Sequence, residues 1–144
     1  MQQVDILLVE DNDADILLVK EALKDVKVYN TLHVVKDGEA ALSFLGYNKE
    51  LNPEHIKPGL IMLDLYMPKK SGMEVLEEIK SSDDLKAIPV VVMTSSQEET
   101  DIVKAYELQA NCYVTKPVDF HQLIKVIKTI EDFWLSVVQL PPQK

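Results

Sequence analysis

Four short apolar runs punctuate the chain: Ile6-Leu7-Leu8-Val9, Leu60-Ile61-Met62-Leu63, Pro89-Val90-Val91-Val92-Met93 and Cys112-Tyr113-Val114. Each has the length of a strand. The first three are apolar without alternation, the pattern of strands covered on both faces of a parallel sheet. A fifth segment, Thr31-Leu32-His33-Val34-Val35, alternates more and predicts an edge strand. Helical spacing fills the gaps. Leu18, Val19, Ala22, Leu23 and Val26 share one face, as do Ala41, Leu42 and Leu45, and then Val75, Leu76 and Ile79. Ile102, Ala105 and Tyr106 make a weaker stripe. Phe120, Leu123, Ile124, Ile127, Ile130 and Trp134 make a long one, with Asp119 placed to cap it. A β-α unit repeated five times predicts a doubly wound α/β sheet with right-handed crossovers.

Two segments exceed a minimal five-unit fold. Gly46 to Gly59 is a long polar connector containing Pro53 and Pro58, expected to be a surface loop. From Asp132 to Lys144 the last helix is extended and then stopped at Pro141-Pro142. No repeat or linker interrupts the chain. Residues 1–144 therefore read as one domain, with a core over about 4–131 and a helical extension and tail over 132–144.

Composition narrows the partners. There are 24 acidic and 15 basic residues, a formal net charge of -9, and every basic residue is a lysine. A nucleic-acid binder would present a basic face with arginine forks, and an anionic membrane surface would also need basic residues. Neither partner is expected. One cysteine fits a reducing cytoplasm. No basic stretch precedes an apolar segment at the start, and no apolar run approaches the ~20 residues that span a bilayer.

In open α/β sheets a ligand sits beyond the carboxyl ends of the strands. There this sequence puts Glu10 and Asp11, then Asp64, then Thr94 and Ser95, then Lys116 before Pro117. Three carboxylates at one rim repel each other unless a cation relieves them. All-oxygen ligands favour Mg²⁺ over zinc, which prefers His and Cys. A lysine opposite can neutralise a carboxylate or hold an anion, and a threonine hydroxyl can donate to a phosphoryl oxygen. An aspartate so placed is a nucleophile suited to accept a phosphoryl group.

Val9-Glu10-Asp11, Leu63-Asp64-Leu65-Tyr66-Met67-Pro68 through Gly72, Met93-Thr94-Ser95 and Val114-Thr115-Lys116-Pro117, in this order, resemble the receiver domain of two-component response regulators. The similarity runs from about Val4 to Phe133. The long connector, Lys69-Lys70 and the aromatic tail resemble stand-alone receivers of the phytochrome-linked type. The resemblance implies a flavodoxin-like fold with strand order 2-1-3-4-5. It implies Asp64 as phosphoacceptor for a histidine kinase or phosphotransfer protein. Asp11 would bind Mg²⁺ directly, Glu10 directly or through water, and the Tyr66 backbone carbonyl would complete the protein ligands. Lys116 would pair with Asp64 and then with the phosphoryl group, aimed by a cis bond to Pro117. Thr94 and the Ser95 N–H would reach the phosphoryl group, and Tyr113 would swing inward when Thr94 moves. Tyr66 and Ser96 would flank the path of a hydrolytic water. Tyr66 is bulkier than the small polar residue many relatives carry, so it is expected to restrict that water.

Plainer readings stand beside these. Asn12 or Asp13 could cap the first helix, Ser96 the fourth, and Tyr113 could be a static core aromatic. His33, His55 and His121 show no metal spacing, and Cys112 is expected to be a buried, inert thiol. Phe133, Trp134, Leu135, Val137, Val138 and Leu140 exceed one buried stripe, which suggests a homodimer through the last helix and its extension. An adaptor that is never phosphorylated is one alternative function. A Mg²⁺-dependent aspartyl-phosphate phosphohydrolase is another, but it needs a second aspartate where Tyr66 stands. A flavin carrier needs a phosphate cradle where Glu10 and Asp11 stand.

Overall fold

The computed structural model describes residues 3–25, 29–117 and 119–136, with side chains over 4–25, 30–117 and 119–129. In chain order the elements are β1 (Gln3–Val9), α1 (Asp13–Leu23), β2 (Tyr29–Val35), α2 (Gly38–Leu45) and β3 (Leu60–Leu63). They continue as α3 (Gly72–Ser81), β4 (Val90–Thr94), α4 (Glu99–Glu107), β5 (Cys112–Thr115) and α5 (Phe120–Ser136). The strands form one parallel sheet in the order β2-β1-β3-β4-β5. The alternating segment is the edge strand β2, extended by two residues at its start.

Strand periodicity splits the core into two layers. Leu7, Val9, Ile61, Leu63, Val90 and Val92 face one side, with Ala41, Phe44, Val75, Leu76, Ile79 and Ala105 from α2, α3 and α4. Ile6, Leu8, Leu60, Met62, Val91 and Met93 face the other, with Val19, Ala22, Leu23, Leu123 and Ile127 from α1 and α5. Both faces are covered, so β3 and β4 are buried at every position and the central strands carry near-continuous apolar runs in place of alternation. Each fully buried Leu or Ile contributes about 1.5–3 kcal/mol by leaving water.

Side-chain caps start four helices where the sequence turns polar. Asn12 accepts from the Asp15 N–H at the start of α1, Asp37 from Ala40 for α2, and Ser71 from Glu74 for α3. Asp119 Oδ1 accepts from the N–H groups of His121 and Gln122 at the start of α5.

Several expectations need correction. Ser96 does not cap α4: Glu98 holds that position, without a side-chain cap bond. Tyr106 is 49 % exposed, because only Ala105 of its stripe is buried in α4. Cys112 is half-buried, since the edge strand β5 is covered less than its neighbours. The Gly46–Gly59 connector is not wholly a surface loop. Asn52 is 1 % exposed within it. Its amide donates to the carbonyls of Phe44 (3.0 Å) and Ile56 (2.8 Å), and its oxygen accepts from the Ile56 N–H (2.7 Å). The loop is thus organised around one buried amide that satisfies three backbone groups.

α5 continues past Asp132 to Ser136. Val26, Val137, Val138, Leu140 and Pro141-Pro142 lie outside the described residues. So do the side chains of Ile130, Phe133, Trp134 and Leu135.

Candidate functional site

Backbone pairing lines up the carboxyl ends of the strands. The Glu10 N–H donates to the Val35 carbonyl (3.0 Å), Asp64 to Val9 (3.1 Å) and Lys116 to Thr94 (2.8 Å). Each site residue is therefore fixed one step beyond its strand by the neighbouring strand's last carbonyl. The β3–α3 loop closes against this edge through the Gly72 N–H, which donates to the Leu65 carbonyl (2.9 Å). A Cβ at Gly72 would lie 2.0 Å from the Asp64 carbonyl oxygen and 2.6 Å from the Leu65 Cα. Only glycine lets α3 start this close to Asp64.

Carboxylate oxygens of Glu10, Asp11 and Asp64 lie within 4.8 Å of one another. Asp64 and Glu10 are buried and Asp11 is exposed, so the cluster opens to solvent on the Asp11 side. The donors are all hard oxygens and no His or Cys joins them, which fits Mg²⁺ or a similar divalent cation.

Lys116 reaches into the same cluster. Its Nζ lies 2.6 Å from Glu10 Oε1, 2.8 Å from Asp15 Oδ2 and 3.1 Å from Asp64 Oδ2. Asp15, in the first turn of α1, was not expected here. Its place in the first turn of α1, just after the Asn12 cap that follows the end of β1, is what brings it to the sheet edge. Burial pushes the Glu10 carboxyl up to about 7, against hydrogen bonds from Lys116 and the Asn12 N–H, and repulsion from Asp64 adds to the rise. Burial alone would lower the Lys116 ammonium. Hydrogen bonds to Asp15 and Glu10 and the charges of Asp64 and Glu10 outweigh that and hold it above the ordinary lysine range. One ammonium among Glu10, Asp11, Asp15 and Asp64 leaves a surplus of negative charge, which a divalent cation would offset.

Asp64 Oδ1 accepts from the Tyr66 N–H (3.1 Å) while Oδ2 faces Lys116, so both oxygens are held. Thr94 ends β4, fully buried, and its hydroxyl oxygen lies 3.5 Å from the Ser96 N–H. Ser95 is exposed on the loop that follows. The Tyr113 hydroxyl donates to the Ser96 carbonyl (3.0 Å), and its ring packs against the core. The Lys116–Pro117 peptide bond is cis.

A second cluster lies beside the first. The Tyr66 hydroxyl donates to Asp101 Oδ2 (2.5 Å), and the Ser96 hydroxyl donates to the same oxygen (2.6 Å). Ser96 Oγ also accepts from the Glu98 N–H (3.3 Å). The hydrogen bonds from Ser96 and Tyr66 hold the Asp101 carboxyl below the usual range, and the bond to Asp101 raises the Tyr66 phenol. Nothing in the sequence marks Asp101, an acid in the first turn of α4, as a partner of Tyr66 and Ser96.

A family model for the response regulator receiver domain matches residues 6–128. The chain belongs to the response regulator receiver domain family. Response regulator Rcp1 of Synechocystis sp. is 49 % identical over 136 residues, covering 94 % of this chain and 92 % of the relative. The structure of Mn²⁺-bound Rcp1 superposes with a TM-score of 0.83 at 48 % identity, covering 96 % of this receiver and 99 % of that chain. The phosphorylated cyanobacterial phytochrome response regulator RcpA gives 0.84 at 47 % identity, covering 98 % and 100 %. The fold and family implied by the motifs are those found. No helix among its described residues is long and apolar enough to cross a membrane.

Proposed function

We propose that Asp64 accepts a phosphoryl group from a histidine kinase or phosphotransfer protein, and that the chain acts as a stand-alone cytoplasmic receiver. One observation carries the reading: Asp64 is only 7 % exposed, with the acids Glu10 and Asp11 and the Lys116 ammonium gathered around its carboxylate. A buried carboxylate kept there has no evident packing role, and it lies beside Glu10, whose carboxyl burial pushes up to about 7, as happens to acids at functional sites. In transfer, an Asp64 oxygen–phosphorus bond forms and the phosphorus–nitrogen bond of a phosphohistidine breaks. The electron pair stays on the imidazole nitrogen.

Asp11, Asp64 and the Tyr66 backbone carbonyl would hold Mg²⁺, with Glu10 joining directly or through water; when bound, the ion supplies positive charge to the transferring phosphoryl oxygens. Lys116, already 3.1 Å from Asp64, is in place to hold the phosphoryl group after transfer. The Thr94 hydroxyl and Ser95 N–H become donors to it once the β4–α4 loop closes. Tyr113 then loses its Ser96 carbonyl partner and turns inward. The surface of α4, β5 and α5 shifts in population and a partner protein reads it. Tyr66 and Ser96 flank the approach of water and set the lifetime of the phosphorylated state.

The relatives support this reading. Rcp1 is a response regulator of nearly the same length, and RcpA is described as a phytochrome response regulator. The kinase would then be a phytochrome-type sensor. The chain works by changing its surface and not as an enzyme on an external substrate, since Tyr66 stands where a phosphohydrolase needs an acid. The acidic, arginine-free composition leaves no nucleic-acid or membrane partner. A second copy would dock through α5 and the residues after it, and a monomeric elution at micromolar concentration would overturn that part.

The test is incubation of wild type and Asp64→Asn with acetyl phosphate and Mg²⁺, read by intact mass. One added phosphoryl group on wild type and none on Asp64→Asn is expected. No adduct on wild type would refute the phosphoacceptor and favour the adaptor.

A further inference from the structure

Asp101 belongs to the first turn of α4 and is not one of the residues gathered around the Asp64 carboxylate. Yet one of its carboxylate oxygens binds both side chains that stand two positions beyond the reacting strand ends. Tyr66 follows Asp64 by two residues and donates its hydroxyl at 2.5 Å. Ser96 follows Thr94 by two residues and donates at 2.6 Å. β3 and β4 are paired neighbours, so the loops that carry Tyr66 and Ser96 lie side by side at the rim. Tyr66 is 58 % exposed, so the hydrogen bond to Asp101 is the polar contact that ties its ring to α4. Ser96 is 9 % exposed, and its hydroxyl also accepts from the Glu98 N–H, a bond that does not depend on Tyr113. The result is a closed strap from the Asp64 loop, over Asp101, to the switch loop.

We propose that Asp101 is a positioning residue for the lifetime of phosphorylated Asp64. By drawing Tyr66 and Ser96 onto one oxygen it closes the gap between the two loops through which a hydrolytic water must pass. Hydrolysis forms a water oxygen–phosphorus bond and breaks the phosphorus–oxygen bond to Asp64, releasing phosphate and the free carboxylate. Water can begin that attack only from the side facing away from Asp64, and that is the side the strap is proposed to cover. The lifetime is then coupled to α4: a partner that pulls α4 outward opens the strap, and the strap in turn resists that partner. The inference rests on Asp64 being the phosphoacceptor.

The test uses the full chain as wild type, Tyr66→Phe, Asp101→Ala, Asp101→Asn and the Tyr66→Phe/Asp101→Ala double variant. Each is phosphorylated with acetyl phosphate and Mg²⁺, transferred to donor-free Mg²⁺ buffer and followed by intact mass. Tyr66→Phe keeps the ring and deletes only the hydroxyl. The loss of one hydrogen bond shifts a local closed-to-open balance by about fivefold, and the half-life of Tyr66→Phe should shorten by that order. Asp101→Ala should shorten it at least as much, and the double variant should decay no faster than Asp101→Ala, since both remove the same strap. Asp101→Asn, whose amide oxygen still accepts, should recover most of the lost lifetime. A merely structural role would not give that rescue or that non-additivity. Equal half-lives for wild type and Tyr66→Phe overturn the inference, as does full additivity in the double variant. Should Asp101→Ala fail to fold, the Tyr66→Phe comparison decides alone. An adduct on wild type with unchanged decay in the variants sinks only the strap. No adduct on wild type sinks the proposed function and the strap with it.

Discussion

Gly72→Ala isolates the contact that seats the phosphoacceptor. The added Cβ would lie 2.0 Å from the Asp64 carbonyl oxygen, and contacts below 3.0 Å are essentially never seen. The atoms it meets belong to the backbone of Asp64 and Leu65, so no side chain can rotate away. The start of α3 and the β3–α3 loop must part by about 1 Å, and the Gly72-to-Leu65 hydrogen bond must stretch with them. Overpacking of this kind costs about 1–3 kcal/mol, read in a chain of this size as a fall in Tm of roughly 2–12 °C. The chemical cost is larger. A reacting group displaced by about 1 Å loses about a hundredfold in rate, and Asp64 is the residue displaced. The assay is the rate of phosphoryl incorporation from acetyl phosphate with Mg²⁺, beside thermal unfolding. Gly46→Ala is the control, since its Cβ comes no closer than 3.2 Å to any neighbour. Phosphorylation of Gly72→Ala at the wild-type rate with an unchanged Tm would refute the reasoning.

Three further outcomes follow from the same geometry. Mg²⁺ should stabilise the fold, by about 2.7 kcal/mol at a hundredfold excess over Kd, read as a higher Tm that is lost with chelator and reduced in Asp11→Asn; a Tm indifferent to Mg²⁺ contradicts the cation site. Asn52→Ala removes three side-chain hydrogen bonds to buried backbone groups at about 1 kcal/mol each, so Tm should fall by roughly 6–12 °C while phosphorylation of the folded protein is unchanged. The Asp101 carboxyl is held below its usual range by Ser96 and Tyr66, so its folded pKa is the depressed one. Whatever it adds to stability is present above the ordinary aspartate range and is lost as pH falls through its lowered value. Tyr66→Phe should move its titration midpoint upward, followed by carboxyl carbon chemical shifts; an unmoved midpoint would mean the Tyr66 bond does not exist in solution.

The central strands were legible because burial on both faces demands unbroken apolar runs, and β3 and β4 are buried at every position. Strand ends were legible for the same reason: Glu10, Asp64 and Thr94 are the polar residues at which such runs break, and a parallel sheet points those breaks to one edge. Edges of this logic failed first. β5 is half-buried throughout, so Cys112 looked more enclosed than it is. Ser96 looked like a helix cap because a serine before a helix usually is one. In the folded chain its hydroxyl is taken by Asp101 instead, and α4 begins without a side-chain cap.

The sequence by itself determined the fold, the family and the identity of the acids and the lysine at the sheet edge. Those depend on periodicity and order, which one dimension carries. Tertiary structure alone decided which charges meet. Asp15 joins Lys116 across the gap between α1 and β5, Asn52 turns a polar connector into a buried anchor, and Asp101 gathers Tyr66 and Ser96 onto one oxygen. In the sequence these three are ordinary polar residues, because a hydrogen bond depends on distance through space and adjacency in the chain says nothing about it.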